Sequence, residues 1–453
     1  MAIGFEKLYH AYTQSKWVQK LYRKSSAAQF IWHKLEPIVL TAEYKTQTLN
    51  RLNIERFLPT EKYGGGGINN GKIKIRFLLG SMASWNAIEP IITTFQEDEK
   101  YDVLVLICGK YPQEERILQC DAHDFPCAVV GENEQFSLQD DKPDIFVFFD
   151  VFDISALGGE KIRAASKMIV APLVQLISYV RNQGSFLTSD DQRELEQCRP
   201  DYILADSLLY RFLTENSRKR IGSVDIMEMG NVKYDRIYDA VTNGREVSAW
   251  KKLKGKKTIL YCPDHNISHY SPHDNVSFDV FGADIFQWMW RHPDIGMIFR
   301  PHPSLEGELR RENIWSPEDF SRLKRAIRES ANIVWDEHES YDEAYANCDA
   351  ILTDAGCGII LSALPTGKPL GALYRNDEVK PYHPELNSAL YEIRNHEQLD
   401  AFLEMARNGE DPMKETRTSA AKEFILHFDG KNAYRIKQFI DENWRELQGK
   451  DLP

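Results

Sequence analysis

From Ile73 onward, short and nearly continuous apolar runs alternate with longer polar stretches. The first series reads "IKIRFLLG" (73–80), "DVLVLIC" (102–108), "CAVVG" (127–131), "DIFVFFD" (144–150), "MIVAPLVQL" (168–176) and "YILADS" (202–207). These runs are rich in Val, Ile and Phe and are not broken by alternating polar residues, the pattern of parallel strands covered on both faces. Their spacing of about 20–30 residues leaves room for a helix between strands, as in βαβ units. A second series begins near Lys256 with "TILYCP" (258–263), "IGMIFRP" (295–301), "NIVWD" (332–336), "AILTD" (350–354) and "PLGALY" (369–374). "SYDEAYANCD" (340–349) and "EQLDAFLEMARN" (397–408) read as helices.

Two breaks organise these series. "YGGGGINNGK" (63–72) holds four consecutive glycines, which support neither helix nor strand, so a linker or exposed loop is expected there. The polar stretch 238–257 separates the two series. The pattern therefore predicts an α/β protein of two consecutive doubly wound, Rossmann-like domains. The expected organisation is a helical extension (1–62), a Gly-rich linker (63–72), a first domain (73–245) and a second domain (246–453).

Composition narrows the function. A length of 453 residues suits two cores better than one. A net charge of −12 argues against a nucleic-acid partner. The seven cysteines include no CxxC pair, which points to reduced thiols and a cytoplasmic protein and away from a disulfide framework or zinc site. No secretory signal opens the chain, and no apolar run approaches the roughly 20 residues of a membrane span. Charge is uneven, because residues 1–56 carry nine Lys/Arg and four Glu beside Trp17, Phe30 and Trp32. Such basic amphipathic helices can lie peripherally on an anionic membrane surface. The alternative is packing on the body of the protein or on a second copy in a homo-oligomer.

In open parallel sheets, ligands bind beyond the carboxyl ends of the strands. Just past the second series stand Asp264 and His265 ("PDH"), Arg300 and His302 ("RPHP"), and Asp354 followed by the small-residue turn Gly356–Gly358 ("DAGCG"). A guanidinium offers paired donors to phosphate oxygens, and amides at a helix start bind anions with help from the helix dipole. A phosphate-bearing ligand is therefore expected. Each piece has a structural alternative: a rigid turn at "RPHP", an ion pair at Arg300, a helix cap at Asp264. Neither a Walker A loop nor a full dinucleotide fingerprint is present.

The segments "TILYCPDHN", "MIFRPHP" and "YDEAYANCDAILTDAGCGIILSALPTGKPLGALY" resemble, in order and spacing, the CDP-glycerol glycerophosphotransferases of teichoic-acid and capsule synthesis. "CRPDYILADSLLYRFLTE…IMEMGNVKYDRIYD" resembles that family's segment before the interdomain crossing, with Gly230 to Asp235 standing for its G-x-P-x-x-D. The resemblance covers roughly residues 140–375. It implies a GT-B fold, two Rossmann-like domains facing across a cleft, with the donor nucleotide held mainly by the second. It further implies that His302 contacts the donor phosphates, that Arg300 replaces the family's lysine, and that Asp354, Ala355, Gly356, Cys357 and Gly358 border the pyrophosphate or the transferred group.

The chain departs from the family in two places. Gly356 and Cys357 replace two serines, and "APLVQLISYVRNQG" (171–184) lacks the acceptor-domain histidine expected as base. His265 or Asp264 is then the candidate base, or the transferred unit is not glycerol phosphate. The expectation is a metal-independent transferase without a resident cofactor. It would move glycerol phosphate, another polyol phosphate or a sugar from a CDP- or UDP-linked donor to a cell-surface glycan or glycolipid. The alternatives are a nucleotide-sugar 2-epimerase and a non-catalytic subunit of polysaccharide assembly.

Overall fold

The computed structural model describes residues 71–80, 85–108, 114–130, 136–173, 189–207, 210, 224–244, 247–265, 276–338, 341–355, 357–375 and 384–450. The basic extension (1–62), nearly all of the Gly-rich linker and residues 174–184 lie outside them. No helix among the described residues is long and apolar enough to cross a membrane.

Each apolar run forms a strand. The first sheet comprises β1 (Ile73–Leu79), β2 (Tyr101–Ile107), β3 (Cys127–Val129), β4 (Ile145–Phe148), β5 (Met168–Pro172), β6 (Tyr202–Ala205) and β7 (Asp225–Glu228). The second comprises β8 (Thr258–Cys262), β9 (Gly296–Phe299), β10 (Ile333–Trp335), β11 (Ala350–Asp354), β12 (Leu370–Leu373) and β13 (Tyr391–Ile393). Their orders are β3-β2-β1-β4-β5-β6-β7 and β10-β9-β8-β11-β12-β13, with all paired strands parallel. Both sheets are thus doubly wound. Their strand order reverses between β1 and β4 in one and between β8 and β11 in the other, where such sheets open a ligand crevice.

Among the helices, those that matter here are α1 (Trp85–Gln96), α2 (Glu114–Ala122), α3 (Lys233–Asn243), α4 (Phe278–Arg291), α5 (Asp342–Ala346), α6 (Ile359–Ala363) and α7 (Asn432–Lys450). Each sheet carries a core on both faces, which explains why its strands read as continuous apolar runs. In β8, Leu260 and Cys262 enter one core while Ile259 and Tyr261 enter the opposite one. In β1, Ile75, Phe77 and Leu79 face one core and Leu78 the other. Burying each such large side chain contributes about 1.5–3 kcal/mol.

Two segments cross between the sheets. Helix α3, in the first series by chain order, buries Tyr234 and Ile237 in a core of the second sheet. Helix α7, last in the chain, returns to the first sheet and buries Ala433, Ile436, Ile440 and Trp444 beside Ile75 and Phe77. The crossings are tied together by Asp235. Its buried carboxylate accepts the Asn432 N–H (2.9 Å), the Asn432 Nδ2–H (2.7 Å) and the Ala433 N–H (2.8 Å) at the start of α7. Burial pushes this carboxyl upward, and those three donors oppose the shift. Gly230 takes φ +82°, and a Cβ there would stand 2.4 Å from Asn432 Oδ1 and 2.8 Å from the Leu426 carbonyl. The Gly-to-Asp element thus works as the joint between the domains.

Removing the cap orphans buried donors, each costing about 1–3 kcal/mol. Asp235→Ala is therefore expected to lower the urea midpoint, followed by tryptophan fluorescence, by an amount equivalent to about 2 kcal/mol or more. Asp235→Glu should recover little, because the longer arm overshoots the three amides.

Candidate functional site

The second sheet's reversal point is built from three strand ends. Beyond β8 and β9 the backbone pairing continues for several residues, with the Arg300 N–H donating to the Tyr261 carbonyl (2.9 Å) and the His302 N–H to that of Pro263 (3.0 Å). This zipping lays the His302 ring over His265, with centroids 3.7 Å apart and planes at 19°. Asp264 lies beside them, its Oδ1 accepting from the His265 backbone N–H (2.8 Å) and 2.9 Å from His265 Nδ1. The Asp264 and His265 side chains are 23% and 38% exposed, so both reach solvent.

The protonation of the trio follows from its contacts. The Ser304 N–H points at His302 Nδ1 (3.1 Å), so a neutral His302 carries its proton on Nε2. Loss of water from its surroundings and the neighbouring His265 hold His302 down to about 4, against a pull upward from Asp264. It is a neutral donor near pH 7. Burial works against charge on Asp264, but the His265 ring and N–H and the charge of both imidazoles bring it down to about 2. Asp264 Oδ1 beside His265 Nδ1 orients that imidazole, the pairing by which a carboxylate fixes a histidine ring.

The remaining expected residues face other partners. Asp354 ends β11 and has no exposed surface. Its carboxylate accepts the Asp264 N–H (2.7 Å), the Ser277 N–H (2.8 Å) and the Ser277 hydroxyl. Burial, joined by repulsion from Asp264, raises it to about 7 against those hydrogen bonds. Asp354 is thus a clamp beneath the site, not a group turned to a ligand. Ser277 was not singled out from the sequence, because nothing local marks its meeting with a carboxylate 77 residues away. Arg375 secures the same corner, donating to the Val276 carbonyl (2.9 Å) and to both Asp279 oxygens (2.7 Å each).

Arg300 is likewise engaged. It donates to buried Asp336 (2.5 Å) and to the His338 carbonyl (2.7 Å), and lies 5.6 Å from the centre of the Tyr341 ring. Its structural reading, an ion pair, describes these contacts. In the small-residue turn, the Ala355 N–H donates to the Leu373 carbonyl (2.8 Å) and the Cys357 N–H to that of Asp354 (3.1 Å). The Cys357 thiol is pushed well upward by burial and then by Asp264. Gly358 is half-buried and precedes α6, while Gly356 lies outside the described residues. Among the described residues, no group of three or more His, Cys, Asp or Glu is arranged to hold a metal ion.

The first sheet repeats the clamp at its own reversal point. The Gly80 N–H, just past β1, donates to Asp153 Oδ2 (3.1 Å), and burial with the neighbouring Asp150 raises that carboxyl to about 7. A Cβ on Gly80 would fall 1.7 Å from Asp153 Oδ1, so only glycine fits. Arg116 of α2, fully buried, gathers the carbonyls of Leu79, Gly80 and Cys108 at the same edge.

No family model matches the sequence, and no curated protein matches it. Solved structures do. The S. aureus MnaA–UDP complex superposes with TM-score 0.57 at 14% identity, over 82% of this chain and 97% of that one. UDP-GlcNAc 2-epimerase from Neisseria meningitidis, bound to UDP-GlcNAc, gives 0.53 at 14% identity over 82% and 100%. The wall teichoic acid polymerase TagF, soaked with CDPG, gives 0.53 at 10% identity over 89% and 98%. The chain has the GT-B fold of these proteins, two Rossmann-like domains joined by crossing helices.

The raised Asp354 carboxyl has a signed consequence. Between about pH 4 and 7 the folded chain holds a proton that the unfolded chain has released, so this group's contribution to stability falls as pH rises through that window. Asp153 adds a slope of the same sign. Asp354→Asn, a neutral acceptor, should flatten but not abolish the pH dependence of the urea midpoint across pH 4–7. An unchanged slope would show that Asp354 titrates lower.

Proposed function

We propose that the chain is an enzyme acting on a nucleotide-linked substrate, and that it transfers the activated unit from a CDP- or UDP-type donor to a hydroxyl of a glycan or glycolipid acceptor. The observation that carries this reading is the Asp264–His265–His302 constellation at the reversal point of the second sheet. The fold neighbours solved with UDP, UDP-GlcNAc and CDPG support a nucleotide-linked ligand.

In this mechanism His265 Nε2 takes the acceptor's hydroxyl proton, and Asp264 keeps the imidazole oriented and stabilises its charge. The acceptor oxygen bonds to the transferred unit as that unit's bond to the nucleotide phosphate breaks. His302 Nε2–H donates to the phosphate oxygen that gains the charge, a neutral donor of the kind that stabilises developing anions. Gly358 and the start of α6 border the same phosphate. Arg300 and Asp354 hold this geometry from behind.

A second reading, nucleotide-sugar 2-epimerisation, draws on the same dyad and on the epimerase among the fold neighbours. It needs no acceptor. Incubation with donor alone separates the two, because only an epimerase converts free UDP-sugar.

A thermal-shift screen with CDP-, UDP-, GDP- and CMP-linked compounds identifies the ligand, since saturation at 100 times Kd adds about 2.7 kcal/mol. With that ligand, His265→Gln should lower kcat by about 10²–10⁴-fold while nucleotide binding persists. His302→Ala should weaken both binding and turnover. Unchanged turnover in folded His302→Ala would overturn the assignment.

A further inference from the structure

The first turn of α3 carries two cations, Lys233 and Arg236, one helical turn apart, and both grip the start of α5. Lys233 Nζ lies 5.0 Å from the centre of the Tyr341 ring, which also receives the Arg300 guanidinium at 5.6 Å. Arg236 Nε donates to Asp342 Oδ2 at 3.0 Å, against a carboxylate side chain only 2% exposed. The same guanidinium reaches across the domain boundary, with Nη1 3.5 Å from Oε2 of Glu89 on α1. Helix α1 belongs to the first sheet, where Ile88, Ile91, Ile92 and Phe95 pack in its core. Helix α3 packs on the second through Tyr234 and Ile237.

We propose that Arg236 is a positioning residue: a two-sided latch between Glu89 and Asp342 that sets the angle between the domains and transmits it through Tyr341 and Arg300 to His302. The route is short and made of tethered parts. Asp342 adjoins Tyr341, Tyr341 lies against Arg300, and Arg300 is two residues from His302 on a backbone zipped to the end of β8. Asp235, adjacent to Arg236, is hydrogen-bonded to the start of α7 and supplies the pivot. With the pivot held at one residue and the latch at the next, opening the cleft lengthens the Arg236–Glu89 contact while the Asp235 cap stays closed. A partly shielded pair of this kind is weak, so it shifts a two-state opening without locking it.

The link from latch to turnover rests on the reading that the histidine pair meets the substrate; the latch itself does not. Small-angle X-ray scattering of the full chain without ligand tests the latch directly. Glu89→Gln and Arg236→Gln should each broaden the distance distribution, the double variant should match the singles, and added salt should broaden wild type but not Glu89→Gln. With the nucleotide found in the screen, each single variant should lower kcat by about two- to five-fold and leave nucleotide affinity within about two-fold. Scattering curves identical to wild type in both singles, or effects that add in the double variant, would overturn the latch. Scattering that changes as expected with kcat unaltered would overturn its coupling to His302. If no nucleotide binds wild type, the substrate reading fails and the scattering arm still decides the latch. Glu89→Gln replaces a half-buried carboxylate with its isostere, so a folded variant is available in either case.

Discussion

A carboxylate with no exposed surface, Asp354, is the constraint on which the candidate site depends. Burying a carboxyl is costly unless donors surround it, and here the donors come from positions 90 and 77 residues away in the chain. The Asp264 amide and the amide and hydroxyl of Ser277 converge on its two oxygens. In satisfying that group, the fold sets where the chain leaves β8 and where α4 begins. His265 follows directly from the first of these positions. His302 reaches it because β8 and β9 stay paired beyond their last regular residues. The residues at the surface are therefore arranged by an ionisable group that is itself fully buried.

The first sheet solves the same problem in the same way. Gly80 and Asp153 stand at its reversal point as Asp264 and Asp354 stand at the second, each carboxyl raised by burial and held by an amide just past the first strand. A parallel sheet whose strand order reverses leaves a gap between two strand ends, and a buried acid closes it with hydrogen bonds that an apolar side chain lacks. In the first sheet the closure is tighter, since only glycine leaves room for the acid. The two halves meet through α3 and α7, and Asp235 caps one with the side chain of the other. That cap joins residues 197 and 198 positions apart.

Most of the architecture was legible because parallel strands buried on both faces must be apolar throughout. Every run read as a strand forms one, including short ones such as Ile333–Trp335. Among the described residues two strands escaped, and both lie at sheet edges. Asp225–Glu228 is largely exposed and carries acids at both ends, and Tyr391–Ile393 exposes Glu392 at its centre. A strand covered on one side only has no reason to be uniformly apolar. Helix α7 was not singled out from the sequence, and amphipathic periodicity there reports only that a face is buried, not what buries it.

The GT-B expectation came from the family resemblance alone. By itself the sequence determined the doubly wound pattern and the strand ends where polar groups gather, because burial and chain punctuation are local properties. His265, His302 and Asp264 were found that way and do assemble. Only the tertiary structure decided which of the gathered groups remain available to a ligand. Arg300 is taken up by Asp336, Asp354 by Asp264 and Ser277, and the Ala355 amide by Leu373. Those partners lie between 18 and 90 residues away. A hydrogen bond across such a distance is set by how sheets and helices pack, and the local residue pattern carries no record of it.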